Sequence, residues 1–240
     1  RAIAPTGRDG EDEVTPAGAT ASMSRLNSAI DLCMDETCSL DWPENEEEQR
    51  KLCSAAALNG QLDVLKRLRE ELGAEWGEET CYSAARGGHL KLLKWARSKG
   101  CPVDFWYNDK MAANAAEGTS RGGERRGNFK VLKWLNKEGA EFTDTRVCDG
   151  AAVNGDLKML KWLRNNGAEW DEWTCARAAF AGHLNVLQWA RANGAPWGVQ
   201  VCAWAALGGR LEVLQWARQN QAPWDELTCA YAAQRGHLQV

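Results

Sequence analysis

Apolar positions in the second half of the chain follow a helical rhythm that restarts at a fixed interval. Leu184, Val186, Leu187, Trp189 and Ala190 have the spacing of a helix buried along much of its length. Gly194 stops it, and Ala195-Pro196-Trp197 reverses the chain. Just before it, Asp171 is a natural N-cap for a short Ala-rich helix over 172–181. Gly182 is placed to end that helix in the left-handed conformation, and His183 makes the turn. The same two-helix pattern recurs in register with cysteine: Cys148, Cys175, Cys202 and Cys229 stand 27 residues apart, Cys53 and Cys81 28 apart, and Ala112 holds the slot in an irregular third copy. A unit this short cannot bury its own apolar face, so a fixed period of this size predicts a stacked array in which neighbours share one core.

The regularity breaks in identifiable places. In the third copy the first helix, around MAANAA, follows a lengthened turn, CPVDFWYNDK, and a hydrophilic insert over 117–127 precedes the second helix, NFKVLKWLNK. Residues 1–22 are rich in Gly, Pro, Ala, Thr and charge and predict an extended low-complexity arm. Residues 23–41, with Met23, Leu26, Ile30, Leu32 and Met34, predict an N-terminal capping helix, and the array occupies 42–240. Its seventh copy stops at Val240 in mid-repeat, which reads as a piece of a longer protein.

The string T-C-x-x-A-A-x-x-G-H-L-x-V-L-x-W-x-x-x-x-G-A resembles an ankyrin repeat. The resemblance rests on Ala178-Ala179 in the first helix, Gly182-His183 at the turn, Val186-Leu187 in the second helix and Gly194-Ala195 at its close. T-C replaces the usual T-P-L-H opening, and about 27 residues instead of 33 leave little room for the β-hairpin finger. The resemblance is to the short, Trp-rich variety. It implies an all-α, ankyrin-like helical solenoid of stacked helix pairs with reduced fingers, and binding to other proteins on the face of the first helices.

Composition narrows the chemistry. A formal charge of −4 gives no overall basic field, so neither nucleic acid nor an anionic membrane is implied as partner, and no apolar stretch approaches membrane-spanning length. Six of the nine Cys share one slot, with neighbours about 10 Å apart, beyond the roughly 7 Å Cα limit for a disulfide. They read as small core hydrophobes in a reducing intracellular compartment, either cytoplasm or an organelle interior such as plastid stroma. Cys33 and Cys38 are out of register and are weak evidence for a metal. His89, His183 and His237 all follow a turn glycine, one per repeat, which fits a structural hydrogen bond rather than a catalytic base. No catalytic residues, cofactor site or metal site emerge, and the chain reads as no enzyme.

Thirteen Trp against four Phe and three Tyr fall mostly in two repeat slots, and they read as packing residues. Binding is expected where copies differ. Two residues after the Cys slot stand Ala55, Ser83, Asn114, Gly150, Arg177, Trp204 and Tyr231; five after it stand Leu58, Arg86, Val153, Phe180, Leu207 and Gln234. Arg177, Trp204 and Tyr231, with Phe180 and Leu207 beside them, form either a partner-binding ladder or a cover over neighbouring helices. Phe105, Trp106 and Tyr107 in the lengthened turn are either an anchor for a partner or a fold-back over the third repeat. Arg121, Arg125 and Arg126 in the insert belong to either a solvated loop or a basic contact. The expected role is a non-catalytic interaction scaffold or linker subunit of a multi-subunit complex. The competing reading is a regulatory repeat segment of a larger enzyme.

Overall fold

The computed structural model describes residues 45–102, 108–121, 124–237 and 239. The arm over 1–22, the capping helix over 23–41 and the Phe105-Trp106-Tyr107 turn lie outside the described residues. The chain alternates first and second helices. The first helices are α1 (Glu46–Asn59), α3 (Glu78–Gly87), α5 (Asn108–Glu117), α7 (Arg146–Val153), α9 (Glu172–Ala181), α11 (Val199–Leu207) and α13 (Glu226–Gln234). The second helices are α2 (Leu62–Lys66), α4 (Leu90–Ser98), α6 (Phe129–Lys137), α8 (Leu157–Asn165), α10 (Leu184–Ala192) and α12 (Leu211–Gln219); α2 runs on into a π-helical turn over Arg67–Glu71.

Local chemistry sets the helix ends. Asp171 accepts a hydrogen bond from the Trp173 amide at 2.9 Å, and Asp225 repeats this with Leu227. Asn45 caps α1 in the same way, and Glu46, Glu47 and Glu48 occupy its first turn, where the positive end of the helix dipole favours them. Gly182 closes α9 at φ 88°, as its position predicts. The slot that ends the second helices with a left-handed glycine holds Gln221 after α12, at φ 63°.

The paired alanines explain how first helices line up. Ala56-Ala57, Ala84-Ala85, Ala115-Ala116, Ala151-Ala152, Ala178-Ala179 and Ala205-Ala206 are all fully buried, and side chains this small let successive first helices approach closely. Each first helix packs on the next from α1 to α13, whereas successive second helices come less close. The array therefore bends, with first helices on the inner face and second helices on the outer. Leu65, Leu93, Leu132, Leu160, Leu187 and Leu214, one per second helix, fill the space between layers.

The turn histidines fasten one repeat to the one before. The His89 ring nitrogen Nε2 lies 3.0 Å from the Leu58 carbonyl, and His183 Nε2 lies 3.1 Å from the Val153 carbonyl. Both carbonyls sit at the C-terminal end of the preceding first helix, where intrahelical donors run out. Asn128 does the same for Ala85 and Arg86, and Arg210 for Phe180. Gly155, at φ 69°, leaves room for this contact, since a Cβ there would come within 2.6 Å of the His183 ring.

The insert of the third copy is not a plain loop. Its backbone forms a small antiparallel hairpin, β1 (Thr119–Arg121) with β2 (Glu124–Arg126), in the register Thr119 with Arg126 and Arg121 with Glu124. It grows from the turn between α5 and α6, the opposite end of the helix pair from the reversal where an ankyrin finger would sit.

Candidate functional site

The inner face carries the side chains that project from the first helices, and its character changes along the array. Two residues before the Cys slot stand Lys51, Glu79, Lys110 and Arg146 in the first four copies, followed by Trp173, Gln200 and Leu227. At this slot the N-terminal half is thus charged and the C-terminal half uncharged. Helix α11, VQVCAWAAL, contains no charged residue at all.

At the apolar end the side chains converge on Trp204. Trp173 meets the Trp204 ring edge-on with centroids 5.4 Å apart, and Phe180 does so at 5.7 Å. The exposed Arg177 holds its guanidinium carbon 5.5 Å from the same ring. Trp204, Phe180, Leu207 and Tyr231 are half-buried. Trp173, two residues before its cysteine, completes this cluster, and comparing copies at that slot would have found it. Leu227, in the same slot one helix pair further on, is 39% exposed. The aromatics cover each other between α9 and α11, and each stays partly exposed.

Beneath Arg177 lies a buried carboxylate. Asp149, on α7, is 8% exposed and accepts a hydrogen bond of 2.7 Å from the Thr174 hydroxyl. Burial pushes its carboxyl from 3.8 up to about 6, with the nearby Asp171 adding to the rise, while the Thr174 hydroxyl and Arg177 act in the opposite direction. Its slot holds Ala176, Ala203 and Ala230 in later copies, so the array has no general need for an acid there.

The repeat-slot tryptophans pack as expected. The reversal Trp of one copy meets the second-helix Trp of the next edge-on: Trp76 with Trp95, Trp170 with Trp189 and Trp197 with Trp216, each at 5.8 Å. An arginine late in the second helix lies over the reversal Trp. Arg164 lies 4.1 Å over Trp170, Arg191 4.6 Å over Trp197 and Arg218 4.4 Å over Trp224. Arg164 and Arg218 also donate to the carbonyls of Ala168 and Ala222 in the reversal. This arginine recurs six residues before the Trp, a spacing visible in the chain.

Among the described residues the thiols are free. Cys53, Cys81, Cys148, Cys175 and Cys202 are buried, and burial pushes Cys53, Cys148 and Cys175 up to about 12. Cys229 departs from the expected burial and is exposed, because no described second helix packs against α13. Cys101, outside the shared slot, is also buried and donates to the Gly77 carbonyl at 3.4 Å. Among the described residues no group of three or more His, Cys, Asp or Glu is placed to hold a metal. No helix among them is long and apolar enough to cross a membrane.

Comparison with known proteins identifies the architecture. A family model described as ankyrin repeats (many copies) matches residues 148–191. No curated protein matches the sequence. Among solved structures, the human ASB11 ankyrin repeat domain is similar at 18% identity over 71% of this chain and 84% of its own, with a TM-score of 0.50. The pentatricopeptide repeat protein PPR10, solved in complex with an 18-nt psaJ RNA element, aligns over 90% of this chain and 40% of its own at 12% identity, with a TM-score of 0.36.

Proposed function

Since the chain is an ankyrin-repeat protein built as a helical solenoid, we propose that it works without catalysis of its own as a scaffold or linker subunit, gripping a partner protein with the inner face of its C-terminal repeats. Ankyrin repeats generally mediate protein–protein interaction, and their fold is typically non-catalytic. What carries the reading is the run of half-buried and exposed side chains Phe180, Trp204, Leu207, Leu227 and Tyr231, with Arg177 beside them, on a face whose other half is charged. The solenoid tolerates Ala, Ser, Asn or Gly in the slot of Trp204 and Tyr231, so their size answers another demand. Trp, Tyr and Arg are the residue types enriched where interfaces concentrate their binding energy. Free, buried thiols fit a reducing compartment.

The test separates binding from folding. Trp204 packs edge-on against two aromatics of its own chain, so its truncation would also cost stability. The cleaner variant is Leu227→Ser with Tyr231→Ala, because both side chains already face solvent in part. Affinity capture with quantitative mass spectrometry should lose specific partners for this variant while its urea midpoint stays near that of the wild type. Unchanged capture would remove the inner face as the interface.

A further inference from the structure

The formal charge of −4 hides a strong segregation of charge. Three successive second helices, α4 (LKLLKWARS), α6 (FKVLKWLNK) and α8 (LKMLKWLRN), each contain three cations and no acid. The acids gather elsewhere, at the N-terminal ends of the first helices, as Glu78, Glu79, Glu172 and Glu226 show. Within each second helix two lysines stand three residues apart and so share one face: Lys91 with Lys94, Lys130 with Lys133 and Lys158 with Lys161. All six are exposed, and none has a carboxylate within ion-pair distance among the described residues.

The lysines also join across repeats. Lys94 reaches to 5.7 Å over Trp134 of α6, and Lys161 reaches the same distance over Trp189 of α10, each leaning onto the next second helix. The result is two parallel rows of ammonium groups on the outer face. Stacked helices lie about 10 Å apart, so the strip is about 20 Å long.

We infer that this strip is a docking site for a short acidic segment of a partner protein, separate from the inner aromatic face and independent of it. Six uncompensated ammonium groups this close repel one another, and an opposing row of carboxylates relieves that repulsion. Lysine presents a mobile point charge rather than a fixed fork, which suits a segment recognised by charge more than by shape.

The ends of the strip favour a short peptide over a long polyanion. In the first copy the two slots hold Asp63 and Lys66, in the fifth Asn185 and Gln188, and in the sixth Glu212 and Gln215. A nucleic acid continuing along the axis would run onto carboxylates in both directions, whereas an acidic helix of about 14 residues spans 20 Å and stops within the strip.

A fluorescein-labelled 16-residue peptide of alternating Glu and Ala provides the probe. Its Gln–Ala counterpart and a 16-nucleotide oligothymidylate serve as comparison arms, with fluorescence anisotropy as the readout. The whole chain should bind the Glu peptide at 50 mM salt and at least about tenfold more weakly at 300 mM, because exposed charges are screened over about one Debye length. Replacing all six lysines by Gln should weaken binding at least about tenfold, and replacing only Lys91, Lys130 and Lys158 should give an intermediate loss. Circular dichroism and the urea midpoint check that both variants remain folded, as exposed positions allow. The Leu227→Ser, Tyr231→Ala variant should bind the peptide as the wild type does, which keeps this proposal distinguishable from that of the inner face. Absence of salt-sensitive binding to the Glu peptide, or equal loss on replacing Lys51 and Arg235 elsewhere on the surface, overturns the inference. So does lysine-dependent binding of the oligothymidylate tighter than that of the Glu peptide, which would reassign the strip to nucleic acid.

Discussion

Asp149 gives the array a pH dependence that runs against the usual acid denaturation. Its carboxyl titrates at about 6 in the fold and near 3.8 as a free side chain, so the folded state prefers it neutral. Below pH 3.8 both states are protonated and the group has no effect. Between 3.8 and about 6 the folded chain holds more protons than the unfolded one, so stability falls as pH rises; above 6 the loss is complete. At about 1.4 kcal/mol per pH unit, the interval corresponds to an upper bound of about 3 kcal/mol. Asp149→Asn keeps an oxygen that can accept from Thr174 Oγ1 while removing the buried charge. The variant should therefore exceed the wild type by about 1 to 3 kcal/mol at pH 7.5, and the gap should close as pH approaches 4. Urea unfolding monitored by tryptophan fluorescence at pH 4, 5, 6 and 7.5 measures this, and subtracting the two proteins cancels the other carboxylates. A gap that does not change with pH, or a variant less stable than the wild type at pH 7.5, would show that Asp149 is solvated or paired strongly enough to stay charged in the fold.

Two further expectations follow from the repeat slots. Gln221 holds the left-handed conformation that glycine takes at the end of other second helices, so Gln221→Gly should raise stability by about 0.5 to 1 kcal/mol in chemical denaturation; a loss of stability would mean that the side chain supports the reversal. Arg164→Ala removes both the cover of Trp170 and the hydrogen bond to the Ala168 carbonyl, and should cost about 2 kcal/mol, with Arg164→Lys recovering less than half because an ammonium cannot stack and donate as a planar fork does. Full recovery by Lys would reduce the interaction to simple charge.

Much of this molecule was legible in one dimension because a repeat states its packing several times. The helix pair, the caps at Asp171 and Gly182, the buried cysteines and the packing tryptophans each recur, and what recurs is what the shared core demands. The His183 contact was legible as structural for the same reason, although its acceptor, the Val153 carbonyl 30 residues away, was not. The hydrophilic insert was legible as an interruption of the third copy, but the pairing of Thr119–Arg121 with Glu124–Arg126 was not, because strand pairing depends on the ends of α5 and α6 bringing the two segments together.

Tertiary structure alone decided the quantities that depend on neighbours in space. Trp204 became half-buried because Trp173 and Phe180 come from the preceding helix to meet it, a proximity set by the closeness of the first helices. Asp149 became a high-titrating acid because α9 covers it, although it lies in a slot where other copies expose or bury harmless side chains. Net charge, a sum over the chain, was blind to direction; stacking joined the lysine pairs of three separate helices into a strip on one face. The sequence by itself determined the repeating unit, because periodicity and local capping are one-dimensional properties. Which copies join into a surface, and with what charge and exposure, was decided only when helices many residues apart were brought within about 10 Å of each other.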